Sequence, residues 1–500
     1  MSILTADRRD IAGYSVRWDE ARAANAYAAG HWVRETLAAA LARAAREEPR
    51  RVLVIEGDTA LDAATLHRQA TTLAGVLAAR FPAGSVVSFM LPNWHEAAII
   101  YLAATLAGMV AHPVLPSLRE RDLAFMLADV QSRMLFIPAR FRGHDYVAML
   151  DTVVHDLETP PEVVALRGAS GAHSNFNDLF NDAPADIQQS PDPDAVRMIM
   201  YTSGTTGRPK GVMHSHNSLH ALIGQIGEHW QVEPGDRFLV ASPISHIGGS
   251  IYAFECPLLL GTTAVLMEQW NAADGVALLQ DKRCTHFAGA TPFLVQTLDA
   301  SRAAGTRLPD LKVFICGGAS VPPSLVLQAA DYFERAVVTR VYGSTEVPVT
   351  TVGVLDPADT EHAAQTDGRA ALADIRLVEG EVRVQGPQMF LGYLHSEDEH
   401  GAFDDHGYYR TGDLGQWLDA HYLVITGRSK DIIIRNGENI APKEVEDLLV
   451  QHPDIEQVAI VGVPDPNTGE RACAVIVPRS GKSPRLEELG AYLSDLGVTR

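Results

Sequence analysis

The chain is predicted to be an α/β protein built on a mostly parallel, doubly wound sheet. Three observations predict it. Strand-like and helix-like apolar patterns alternate through the first third. The same rhythm resumes from residue 198 to about 341. Between 366 and 426 it gives way to short segments broken by glycine, such as GEVRVQG and GYYRTGDLG. Strand–helix–strand repetition implies parallel pairing, whereas the Gly-broken stretch reads as an antiparallel β unit.

In chain order, RVLVIEG at 51–57 reads as a strand, and Leu66, Ala70, Leu73 and Leu77 then recur at helical spacing. A second strand spans 86–91. The apolar stretch 97–110 is rich in Ala and Gly and ends at His112-Pro113. It falls short of the ~20 residues needed to cross a bilayer, so a buried helix is expected. A strand near 110–114, a helix over 122–131 and a strand over 134–138 follow. The polar stretch 170–194 carries no periodicity and reads as a long loop. From about 430 the pattern predicts a helix over 443–450, strands over 458–463 and 472–477, and a last helix over 486–496.

With 41 Lys+Arg against 62 Asp+Glu the net charge is -21, which argues against nucleic acid or an anionic membrane as the main partner. Five hundred residues exceed one compact core, so at least two domains are expected. Cys256, Cys284, Cys316 and Cys473 lie far apart with no CxxC pair, which fits a reduced, cytoplasmic setting. Cys316 reads as a small apolar residue at a strand end rather than a nucleophile. The N-terminus turns charged too early for a signal peptide.

The most informative segment is MIMYTSGTTGRPKGVMHSH at 198–216. An apolar strand runs into Thr202, Ser203, Gly204, Thr205, Thr206 and Gly207, and Lys210 follows. Glycines let several N–H groups converge on one anion, the hydroxyls add donors, and the lysine adds a full charge. Such a loop suits a polyphosphate. A Walker A loop would place Lys before Ser/Thr at a helix start, whereas Lys210 lies between Pro209 and Gly211. A plain solvated turn would match the composition, but not the strand leading in or the lysine leading out.

This segment resembles the signature loop of the adenylate-forming superfamily, which includes acyl-CoA synthetases, adenylation domains of peptide synthetases and beetle luciferases. Further motifs follow in the family's order over almost the whole chain. The resemblance implies a large N-terminal domain (1–429) of doubly wound, mostly parallel sheets with a β-barrel-like subdomain. A small α+β C-terminal domain (430–500) would follow. It also implies ATP, Mg2+ and coenzyme A as cofactors, a carboxylic acid as substrate, and no nucleic-acid partner; a homodimer stays open.

The family's roles carry over residue by residue. In VYGSTE (341–346) the resemblance sets Tyr342 and Gly343 against adenine, Thr345 near the α-phosphate and Glu346 on Mg2+. In CGGAS (316–320), Gly317, Gly318 and Ala319 would line the adenine and acyl pockets. Asp413, in YRTGDL, and Arg428, in GRSKD, would reach the ribose hydroxyls, and Lys430 would sit at the hinge. RNGENI (435–440) resembles the loop that swings in for the second half-reaction, where Gly437 lets the pantetheine arm pass. Lys210, Thr345, Glu346 and Lys430 are therefore the expected catalytic residues. SPISHIGGS (242–250) resembles the acyl-tunnel segment, with His246 as gate and Gly248 beside it. Tyr252, Phe293, Val347 and Val349 are further pocket candidates, apolar or aromatic, which favours an uncharged acid without an α-amine. His214 and His216 look like a metal pair, but no further ligands stand at suitable spacing, so zinc is rejected.

Two features complete the reading. Family members continue into a Pro…Gly-Lys segment whose lysine contacts the reacting carboxylate; this sequence stops at Arg500 without it and is read as C-terminally cut short. Lys482 lies too early to replace it. Among functions, a carboxylic acid–CoA ligase of medium-chain, alicyclic or aryl type leads. A stand-alone adenylation enzyme loading a carrier protein is the alternative, and a nucleotide-binding regulator without activity is the third.

Overall fold

Met134–Pro138, Val86–Phe89 and Val110–Pro113 are buried at every position, as expected of strands covered on both faces. They lie at the centre of a seven-stranded sheet in the computed structural model, which describes residues 8–181, 191–202, 208–435, 438–465 and 469–496. From edge to edge that sheet runs Ser174–Asn175, Glu162–Leu166, Met134–Pro138, Val86–Phe89, Val110–Pro113, Val196–Thr202 and Lys210–Ser215. All its pairings are parallel except the last, which is antiparallel.

A second seven-stranded sheet runs Val337–Val341, Val313–Gly317, His286–Gly289, Arg237–Val240, Thr263–Leu266, Val52–Glu56 and Thr59–Asp62. It too is parallel save for its last pair. The helix Ala63–Arg80 begins where Asp62 accepts the Thr65 N–H, and the residues read at helical spacing, from Leu66 to Leu77, are buried. The apolar stretch becomes the helix His95–Leu106, buried over nine consecutive residues. It packs in one core cluster with Phe89 of the first sheet and Val54 and Phe238 of the second. That sandwiched position explains why it is hydrophobic all round.

The stretch expected as one long loop carries structure. Ser174–Asn175 pairs in parallel with Glu162–Leu166, and a 3₁₀ turn Phe176–Asn181 buries Phe176 and Leu179. Phe176 meets Phe136 edge to face at 6.0 Å, and with Leu179 it anchors a segment without periodicity.

The Gly-broken region forms a four-stranded antiparallel sheet, Asp374–Val378, Glu381–Gln385, Tyr409–Leu418 and Tyr422–Arg428. Beyond Lys430 a second antiparallel sheet orders Glu438–Ile440, Ile433–Arg435, Gly469–Pro478 and Ile455–Asp465. The helices Pro442–Leu449 and Leu486–Asp495 pack on it around Ile433, Leu449, Ile455, Ile460 and Leu489. Its two long strands extend past the apolar runs because Pro464 and Glu470, which interrupt the pattern, still pair with each other. Among the described residues, no helix is long and apolar enough to cross a membrane.

Candidate active site

Two neighbouring strands of the second sheet, Val313–Gly317 and Val337–Val341, end together, with Gly317 paired to Val341. They deliver CGGAS and VYGSTE to the carboxyl edge of a parallel sheet, where α/β folds place ligands. A β-carbon on Gly317 would stand 2.7 Å from the Val341 carbonyl oxygen, and Gly318 holds φ at +79°. Only glycine accommodates both demands. Farther along the loop, Val349 holds φ at +45°, an outlier for a β-branched residue, with its carbonyl accepting from Gln225 Nε2 at 2.8 Å.

Tyr342 donates its phenol to Asp413 Oδ2 at 2.6 Å, and Arg428 Nε stands 3.0 Å from Asp413 Oδ1. Asp413 and Arg428 face each other across the antiparallel ladder, so the sheet sets their separation. Burial raises the Asp413 pKa, and the Tyr342 hydroxyl and Arg428 guanidinium oppose that rise. Burial, and then the neighbouring carboxylate, drive the Tyr342 phenol well above its usual value. The three groups form a polar cluster of one buried anion, one fixed phenol and one cation whose side chain is 56% exposed.

Glu346, buried at 7% exposure, accepts from the Tyr393 phenol at 2.8 Å, and Tyr393 in turn lies 3.2 Å from the Tyr409 hydroxyl. The ring of Tyr393 also lies 5.0 Å from Lys210 Nζ, a cation–π distance. Lys210 donates to the Asp398 carbonyl at 3.1 Å, and Arg208 pairs with the Asp398 carboxylate at 2.9 Å. Tyr393 thus joins the expected metal carboxylate to the expected phosphate lysine. Thr345 is positioned through its carbonyl, which lies 2.7 Å from His214 Nε2. His214 Nδ1 lies 3.1 Å from Ser218 Oγ, and burial depresses this imidazole to about 4. Both its nitrogens therefore have protein partners.

Thr202 pairs with Lys210 across the ladder, which fixes both flanks of the signature loop, and a strand rather than a helix follows it. Ser203, Gly204, Thr205, Thr206, Gly207 and Gly437 lie outside the described residues. A cleft of about 720 Å³ opens beside Gly318, Ala319, Tyr342, Gly343, Asp413 and Arg428. Lys430, Ile433, Lys443 and Val461, farther along the chain, line the same cleft.

The acyl-pocket candidates fall in several places. His246 caps the short helix Ile247–Ser250, its Nδ1 accepting the Gly248 N–H at 3.2 Å. Its side chain is accessible, yet the protein around it lowers its pKa by desolvation. Tyr252 lies in the π-helical turn Ile251–Glu255, stacked on Phe238 at 5.3 Å. Phe293 packs with Trp270 and Phe287, and Val347 belongs to the cluster around Phe390 and Tyr393. Cys316 is buried, its thiol pushed up to about 12 by desolvation, which suits packing rather than nucleophilic attack.

Sequence reasoning missed Tyr393, Tyr409 and Asp398. Tyr393 meets Glu346 across 47 residues, and no local spacing links them. The Gly-Tyr pair at 392–393 was the available signal, since Gly392 holds φ at +108° to make the turn.

A family model described as AMP-binding enzyme matches residues 41–394, and one described as AMP-binding enzyme C-terminal domain matches 444–496. The chain is 33% identical to a medium-chain fatty-acid–CoA ligase of Escherichia coli, over 97% of this chain and 89% of that one. It is 32% identical to a feruloyl-CoA synthase of Amycolatopsis, over 90% of each. The fold matches ATP-bound MatB from Rhodopseudomonas palustris with a TM-score of 0.81, covering 92% of both chains at 24% identity. The chain belongs to the AMP-binding enzyme family, among its AMP-forming acyl-CoA synthetases.

Proposed function

We propose that the residues assembled at these strand ends divide the work of activating a carboxylic acid. Asp413 and Arg428 take the ribose hydroxyls, and Tyr342, Gly317, Gly318, Ala319 and Gly343 frame adenine and the acyl carbonyl. Thr202, the loop 203–207 and Lys210 hold the phosphates, with Thr345 near the α-phosphate. The observation that carries this reading is Tyr342, Asp413 and Arg428 on one wall of a cleft that the CGGAS loop also lines.

The substrate carboxylate attacks the α-phosphorus of ATP. The bond to pyrophosphate breaks, giving an acyl-AMP anhydride. The thiol of CoA then attacks the acyl carbon, and AMP leaves with the electron pair of the broken C–O bond. Lys210 places a fixed cation where charge develops on the phosphate oxygens. Glu346 fits Mg2+, a hard ion often bound through one or two carboxylates plus substrate phosphates. When bound, that ion supplies charge neutralisation to the triphosphate.

Residues 1–429 and 430–500 act as two domains, with Lys430 at the hinge and the 435–440 loop, including Gly437, serving thiol transfer. Apart from its reacting carboxylate, the acid is uncharged and apolar: medium-chain, alicyclic or aryl. Tyr252, Phe293 and Val347 support this by their chemistry, as does the likeness to the medium-chain ligase. A reduced, cytoplasmic setting belongs to the same reading, supported by four unpaired cysteines.

The test supplies ATP, Mg2+ and CoA with octanoate, cyclohexanecarboxylate, benzoate, malonate or glycine, followed by mass spectrometry of the CoA esters. Octanoyl-, cyclohexanecarbonyl- or benzoyl-CoA, formed with AMP, is the expected product. Preference for malonate or glycine overturns the acyl class proposed.

A further inference from the structure

The CGGAS loop does more than border the cleft. Its last residue, Ser320, donates to Asp447 Oδ1 at 2.8 Å and accepts from Lys443 Nζ at 3.0 Å. Lys443 and Asp447 are one helical turn apart in Pro442–Leu449 and pair with each other at 2.6 Å. The three polar groups close a ring across the two sides of the cleft. Ser320 is also anchored from behind, its carbonyl accepting from Thr291 Oγ1 at 2.7 Å. Thr291 opens the helix Thr291–Ala304, so the contact bears on a rigid element.

This ring fixes one orientation of the unit beyond Lys430. In that orientation Ile433 and Pro442 both line the cleft, and they bracket the 435–440 segment on its two sides. We propose that Ser320, Lys443 and Asp447 form a latch that holds the C-terminal unit in the thiol-transfer orientation. This rests on the assignment of 435–440 to the second half-reaction made above.

The latch is built to release. Ser320 is exposed, and the Asp447 side chain keeps 34% of its accessible surface, so water can replace each partner as the ring opens. The Lys443–Asp447 pair lies within one helix, so the two exposed hydrogen bonds of Ser320 carry the bias, and they do so without freezing the orientation. Lys443, Asp447 and Ser320 act here as positioning residues: none is assigned a contact with the reacting atoms.

The experiment uses the full chain and measures the two half-reactions apart. Pyrophosphate release is followed with ATP and the best acid from the panel, without CoA. Thiol transfer is followed with the matching synthetic acyl-adenylate and CoA. Asp447→Ala, Ser320→Ala and their double variant are each expected to slow thiol transfer about fivefold, the size of one partly exposed charge-assisted bond. The double variant is expected to be no slower than either single one, because both remove the same contact. Pyrophosphate release stays within about twofold of wild type, and Ser320→Thr, which keeps the hydroxyl, retains transfer. Limited trypsin digestion supplies a second readout, with faster cleavage at Arg428 and Lys430 once the unit is released.

A parallel fall in both half-reactions, unchanged transfer, or a double variant slowed by the product of the single effects each overturns the latch. Wild-type enzyme that turns over none of the acyl-adenylates overturns the functional reading itself, which separates the two failures.

Discussion

Tyr342 donates its phenol to Asp413 across 2.6 Å, joining the residue just past the strand Val337–Val341 to the strand Tyr409–Leu418 of the antiparallel sheet. The bond aims a carboxylate that would otherwise be set only by Arg428. Tyr342→Phe keeps the ring but leaves the buried Asp413 carboxylate with the exposed Arg428 as its side-chain partner. The KM for ATP is expected to rise about ten- to a hundredfold, with kcat changed less, the cost of one hydrogen bond to a charged group. Steady-state kinetics at varied ATP checks this, and an unchanged KM contradicts it.

Glu346 sits under Tyr393, which also faces Lys210. Glu346→Gln preserves shape and hydrogen-bonding capacity while removing the charge. Pyrophosphate release is expected to fall by about two orders of magnitude, whereas Tyr393→Phe costs about threefold. Comparable losses in the two variants would mean that Glu346 acts through packing, not charge.

Arg197 and Glu255 form an ion pair at 2.9 Å with both side chains 1% exposed, and Tyr101 donates to the same carboxylate oxygen at 2.5 Å. Removing one partner strands the other charge. Glu255→Ala is expected to cost about 3–5 kcal/mol of stability, and Arg197→Met with Glu255→Leu distinctly less. Urea unfolding midpoints compare them; equal losses would contradict the ion-pair account.

His214 is held neutral, its pKa depressed to about 4 by burial, while an unfolded histidine titrates near 6.5. Between those values the unfolded chain binds more protons than the folded one. Stability therefore rises with pH through this window and declines as pH falls from about 6.5 towards 4. His214→Gln is expected to flatten that slope while lowering stability at pH 7. Unfolding midpoints measured at intervals from pH 7 to 4.5 decide it.

Cys473 is exposed and Cys256, Cys284 and Cys316 are buried. A thiol reagent is expected to label one cysteine rapidly in the native protein and four after denaturation, with activity preserved after the first. Loss of activity on labelling Cys316 alone would return that thiol to the reaction.

Much of the fold was legible because apolar runs at strand and helix spacing persist where both faces are covered. Met134–Pro138 and the helix Ala63–Arg80 follow the pattern closely. The segment 174–181 escaped because it depends on Phe176 meeting Phe136, a contact no periodicity encodes. The site divides the same way. Tyr342, Asp413 and Arg428 stood in compact motifs and meet in space. Tyr393 and Ser320 draw their roles from partners far along the chain, so their significance appears only once the sheets are assembled.

The place of Val52–Glu56 in the second sheet has a consequence for how the protein is made. Its parallel neighbour pairs Val54 with Ala264, about 210 positions later. At roughly 5–20 residues per second of synthesis, this strand emerges some 10–40 s before the partner that will cover its edge. Its hairpin mate Thr59–Asp62 protects only the other side. Each nascent chain therefore carries an open, aggregation-prone strand edge through almost half of its translation.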